Sequence, residues 1–160
     1  MKGKLLVAAT IGLSPFVATY AIWQYNHQTS NPDLNWIAPS SGDAQLQGKH
    51  LYETYCASCH GVSLEGQLRW RHRMANGRLP APPHNDSGHT WHHPDHQLID
   101  ITKRGIVGGV NAPDGYQSDM PSFGQQLSDE QIRQILAYIK SMWNKDSLSR
   151  QRQVTEESLR

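Results

Sequence analysis

Polar and apolar positions divide the chain into unequal regions. Leu5 to Trp23 is a nearly unbroken apolar run without a charged residue, behind Lys2 and Lys4. Asn26 to Gly42 turns polar and carries Asn31-Pro32-Asp33 and Pro39-Ser40-Ser41-Gly42. From Asp43 the apolar residues recur at helical spacing. Leu46, Leu51, Tyr52 and Tyr55 predict a helix over 43–55 that starts near Asp43. Gly48 is costly inside a helix and fits best where a second backbone passes close by. Leu98, Ile99 and Ile101 predict a helix over 94–104, with Pro94 suited to its first turn and Gly105 to its end. The strongest pattern is Ser128 to Trp143: Ile132, Ile135, Leu136, Ile139 and Trp143 share one face. Ser128 and Gln131 there form a candidate capping box. A crossing of the first and last of these helices at Gly48 would bring Tyr52 against Tyr138 or Trp143. Segments 61–93 and 106–127 are rich in Gly, Pro, Asn and Asp and read as loops. Lys145 to Arg160 is polar with widely spaced apolar residues, a short frayed helix or a disordered tail.

The expected organisation is therefore 1–25 transmembrane anchor or uncleaved signal, 26–42 linker, 43–144 folded domain and 145–160 polar tail. Nineteen residues from Leu5 to Trp23 make a helix of about 28 Å, against a hydrocarbon core of about 30 Å. Gly12 and Pro15 are tolerated in such helices, and Trp23 and Tyr25 stand where interfacial aromatics stand. A cleaved signal peptide is the competing reading, with Ala18-Thr19-Tyr20-Ala21 a loose cleavage site. Either places the domain across a membrane. With an anchor, the lysines stay cytoplasmic and the domain is periplasmic, at a bacterial inner membrane with lipid as a contact.

The chain has 160 residues, enough for one domain, and a formal net charge of +1. That balance gives no case for nucleic acid. Its only two cysteines lie in Cys56-Ala57-Ser58-Cys59-His60. A C-x-x-C pair can be a thiol redox couple or half of a zinc site, but the sequence before it is helical and no βαβ pattern surrounds it. C-x-x-C-H is the attachment signal of a c-type haem. Cys56 and Cys59 would bond its vinyl groups and His60 would ligate iron. Both thiols are then used, so no protein disulfide remains.

A second axial ligand is expected from a methionine. Met1 is out of reach, Met74 lies in a basic loop and Met142 falls on the last helix. Met120 sits in Gln117-Ser118-Asp119-Met120-Pro121-Ser122-Phe123, a loop stiffened by Pro121, and is favoured. The region from about Asp43 to Asn144 resembles a single-haem class I cytochrome c, on the strength of the helix before Cys56-x-x-Cys59-His60, the Met120-Pro121-x-Phe123 loop and the closing helix. The resemblance implies an all-α fold around one covalent haem c, with His60 proximal and Met120 distal. It also implies a proline carbonyl that accepts the His60 N–H, matched by Pro82 with Pro83 as alternative. The departure is Arg69 to His93, which resembles a subgroup of bacterial membrane-anchored monohaem cytochromes.

The resemblance implies an electron carrier rather than an enzyme, passing electrons between membrane-associated donor and acceptor proteins. It would act as a free carrier or as a subunit of a respiratory or photosynthetic complex. Two alternatives stay open. His84, His89, His92, His93 and His96 lie close in sequence, and three or four of them converging would make a copper- or zinc-handling site. A displaceable distal ligand would instead make a haem enzyme acting on peroxide or a small gas. Arg69, Arg71, Arg73 and Arg78 are candidate propionate partners or a docking patch.

Overall fold

The computed structural model describes residues 36–160. These form five α-helices: α1 (Gly42–Tyr55), α2 (Ala57–His60), α3 (Asp95–Arg104), α4 (Asp129–Ser141) and α5 (Lys145–Glu157). A 3₁₀ turn (Thr90–His92) precedes α3. Among the described residues there is no β-strand, only an isolated bridge between Gly108 and Ala112. The all-α expectation holds for this region.

One part of the expected fold class is corrected. No helix among the described residues is long and apolar enough to cross a membrane. The longest, α1, has 14 residues, about 21 Å against a hydrocarbon core of about 30 Å. The transmembrane helix, the inner-membrane and periplasmic placement and the lipid contact are therefore withdrawn. The run that prompted them, Leu5 to Trp23, lies outside the described residues, as does the linker up to residue 35.

The core forms where α1 crosses α4. The predicted face of α4, with Ile132, Ile135, Leu136 and Ile139, is buried, as is Trp143 beyond the helix end. Each aliphatic side chain so buried contributes roughly 1.5–3 kcal/mol. Ser128 caps the helix through the reciprocal capping box with Gln131. On α1 the only buried residues are Gly48 and Tyr52. A Cβ at Gly48 would overlap the Gln134 carbonyl and Tyr138 Cβ of α4, so the two helices touch backbone to backbone. One helical turn on, the Tyr52 and Tyr138 rings pack with centroids 5.5 Å apart.

The polar terminal segment forms α5, and polar groups hold it. Asn144 caps it by accepting from the Asp146 and Ser147 amides. Ser147, Gln151 and Thr155, spaced four apart, are buried along one stripe. They meet a fully buried ammonium, Lys140 of α4. Its Nζ donates to Ile37 O, Asp95 Oδ2 and Gln151 Oε1, each at 2.8 Å. Asp95 also accepts from the Ile37 amide at 2.6 Å and from Gln151 Nε2 at 2.7 Å. Burial pushes the Lys140 pKa down to about 8, against the pull of the Asp95 charge and hydrogen bond. The group therefore remains charged at neutral pH. Trp36 donates to Gln151 Oε1 at 2.6 Å and lies under both Lys140 and Arg152. One buried ion pair thus joins residues 36–37, α3, α4 and α5.

Two substitutions test this packing. Gly48→Ala gains about 1 kcal/mol of helix propensity but forces α1 and α4 apart. A net loss of about 1–3 kcal/mol is expected in urea unfolding. Lys140→Met leaves Asp95 as a buried, uncompensated charge, and a loss of about 3–5 kcal/mol is expected, partly recovered in Lys140→Met/Asp95→Asn.

Candidate haem-attachment site

The α1 helix ends at Tyr55, and Cys56 is both its C-cap and the N-cap of α2. The four-residue turn of α2 therefore carries Cys59 and His60 one turn beyond Cys56. Cys56 is half-buried and Cys59 exposed, and both are free thiols. Burial, reinforced by the charge of Cys59, pushes the Cys56 thiol up to about 12. A thiol redox couple needs the opposite, a stabilised thiolate. Gly61, at φ 80°, follows immediately and turns the chain away.

His60 is buried. Its Nδ1 lies 2.8 Å from Pro82 O. A carbonyl only accepts, so Nδ1 carries the proton and Nε2 keeps its lone pair. Burial lowers the His60 pKa, partly countered by the Pro82 hydrogen bond, and the net lowering favours the neutral ring that a metal ligand must be. Pro82 rather than Pro83 makes this contact. The Pro82–Pro83 backbone is held against Gly66, where a Cβ would overlap it, and the Gly66 amide donates to His60 O at 2.7 Å.

A second layer fixes the ring. The His84 imidazole stacks on His60 with centroids 3.9 Å apart and planes at 23°. His84 Nδ1 meets Thr90 Oγ1 at 2.8 Å, and its carbonyl accepts from Trp143 Nε1 at 2.6 Å. Burial holds His84 well below the ordinary histidine range, so it stacks as a neutral ring. Tyr52 Oη donates to Gly61 O at 2.8 Å, fixing the end of α2 against α1. His84 was a candidate ligand in the sequence. Its position two residues after Pro82 was the only signal of this supporting role.

Met120 is half-buried. Its loop docks on the last turn of α3, whose carbonyls lack helical partners. Phe123 N donates to Thr102 O and Gly124 N to Lys103 O, both at 3.0 Å. Gly105, at φ 74°, lies against the Met120 carbonyl. The Phe123 ring meets Tyr55 edge-on at 6.2 Å, which places the Met120 loop beside the residue preceding Cys56. Met74 and Met142 are more exposed, at 40% and 48%.

Of the other candidates, His89 and His93 meet edge-on with ring centroids 5.3 Å apart. Among the described residues no three His, Cys, Asp or Glu side chains are grouped to hold a metal ion. His89 stacks on Trp70, His92 on Trp91, and His93 bonds Gln97 at 3.2 Å. Arg71 lies over Trp70 and Arg78 pairs with Asp119. The donor set fits a covalent haem c: two free thiols three positions apart, and an imidazole with one nitrogen already occupied.

A family model described as cytochrome c matches residues 45–143. A cbb3-type cytochrome c oxidase subunit FixP of Sinorhizobium medicae is 29% identical over 142 residues, covering 88% of this chain and 42% of the relative. The subunit of the same name from Rhizobium meliloti is 29% identical over 115 residues, covering 71% of this chain and 33% of the relative. The chain thus spans less than half of the length of these relatives, 42% of the first and 33% of the second. No solved structure gives a significant match.

Removing the Tyr52 hydroxyl isolates one element of the site. Tyr52→Phe should cost about 0.5–1.5 kcal/mol in denaturant unfolding, with the Tyr52–Tyr138 packing kept.

Proposed function

Because the chain belongs to the cytochrome c family, we propose that it binds one covalent haem c with His60 and Met120 as axial ligands and serves as an electron carrier. The observation that carries the reading is the Pro82 carbonyl on His60 Nδ1, immediately after Cys56-x-x-Cys59. It presents a neutral, oriented Nε2 where the two cysteines would hold the macrocycle.

When bound, the haem supplies a reversible ferric–ferrous couple. Cys56 and Cys59 would hold the haem through thioether bonds to its two vinyl groups, so that it could not dissociate. The Pro82 carbonyl fixes the His60 tautomer and raises its basicity as a ligand. Met120 would supply a thioether ligand to the iron, which would favour the ferrous state. His84 stacked on His60, and the Tyr52 and Trp143 bonds beside it, restrain this side from moving when charge changes. With His60 and Met120 both engaged by the iron, the domain would hand electrons on without transforming a substrate. The curated relatives carry the name of an oxidase subunit, which supports redox proteins as donor and acceptor, within or beside such a complex.

Met120→Ala tests the axial assignment. The sulfur-to-iron charge-transfer band of the ferric protein should disappear. The reduction potential should fall by roughly 0.1–0.3 V, within the range of about 0.8 V that axial ligands command. Met74→Ala and Met142→Ala should leave both unchanged. Loss of the band in either of those variants, with its retention in Met120→Ala, would move the ligand to another sulfur.

A further inference from the structure

The segment between Gln67 and Ala81 is a closed loop with three anchorages. At its root, Gln67 N donates to Ala81 O at 2.8 Å and Ala81 N to Gln67 Oε1 at 2.9 Å. The root therefore adjoins Pro82, the carbonyl on His60. On its flank, Trp70 stacks on His89 with planes 13° apart, and Arg71 Nη2 donates to Ser87 O at 3.4 Å. Its tip is a tight turn: Met74 N donates to Arg78 O at 2.8 Å and Gly77 N to Met74 O at 2.9 Å. Gly77 is at φ 80°, and Arg73 Nη1 donates to its carbonyl at 2.6 Å.

The tip reaches the Met120 loop. Arg78 Nη1 pairs with Asp119 Oδ1, the residue before Met120. The Arg73 guanidinium lies 5.7 Å from the centre of the Tyr116 ring, within cation–π range. Among the described residues, main-chain bonds at Phe123 and Gly124 hold the loop after Met120, and before it the Tyr116 backbone lies against Gly108. The strap adds side-chain attachments on that earlier side, at Tyr116 and Asp119.

We infer that the Gln67–Ala81 loop is a strap that joins the carbonyl support of His60 to the Met120 loop, with Arg78 and Asp119 as positioning residues that keep the Met120 thioether seated. The inference rests on Met120 being the distal ligand. The pair is exposed, with side chains 40% and 55% accessible, so its hold is modest. An exposed ion pair changes an equilibrium by a factor of up to about five, and salt weakens it.

The test is the rate at which imidazole binds the ferric, haem-loaded protein, which opening of the Met120 loop limits. Arg78→Gln and Asp119→Asn should each raise the rate about two- to fivefold. The double variant should match the single ones, because both remove the same contact. About 1 M salt should bring the parent protein close to the variants. Met120→Ala, with no ligand to displace, sets the fast limit. Parent-like rates in Arg78→Gln, with Met120→Ala fast, overturn the strap and leave Met120 ligation standing. Additive effects in the double variant overturn the pairing of Arg78 with Asp119. A parent-like rate in Met120→Ala overturns both the strap and the axial assignment.

Discussion

Close approach of α1 and α4 at Gly48 is the constraint on which the site depends. Without a side chain there, α1 lies on the Gln134 carbonyl and ends where Cys56 begins. Tyr52, one turn later, is fully buried and spends its hydroxyl on Gly61 O. The same contact that closes the core thus sets the direction of the helix and pins the turn carrying Cys59 and His60. Attachment chemistry needs that rigidity: two sulfurs and one nitrogen must meet a planar group in fixed relative positions.

Around this crossing, backbone carbonyls do much of the orienting. Pro82 O receives the His60 imidazole and His84 O receives the Trp143 indole. The carbonyls ending α3 receive the Met120 loop. Prolines and glycines make such carbonyls available by turning the chain without regular pairing. Loops that contribute few apolar side chains therefore define the site, and the helices behind them supply stability.

Helical spacing made α1, α3 and α4 legible, because each buries an apolar face. Ser128 and Gln131 announced the start of α4, and Gly48 announced the crossing. Cys56-x-x-Cys59-His60 announced the site chemistry. Helix α5 was obscure because its buried stripe is Ser147, Gln151 and Thr155, invisible to hydrophobic periodicity. Its partner Lys140 was equally obscure, since a lysine on a helix ordinarily marks a solvated face. Only the fold brings Asp95, 45 positions away, to neutralise it. The histidines near 84–96 suggested a second metal by proximity in sequence. In space His89 and His93 meet edge-on with ring centroids 5.3 Å apart, but no third ligand joins them among the described residues, and the rings otherwise pack on Trp70, Trp91, Gln97 and His60. The membrane reading rested on the length and lack of charge of the run from Leu5 to Trp23, on Lys2 and Lys4 before it and on Trp23 and Tyr25 at its end, all outside the described residues.

The central claim is that Cys56 and Cys59 hold one haem covalently. Intact mass of the denatured protein, produced with a haem-maturation system, tests it most directly. The account predicts a mass one haem above the polypeptide, with the adduct mapped to the peptide containing Cys56 and Cys59. An unmodified mass with both thiols open to alkylation would contradict it.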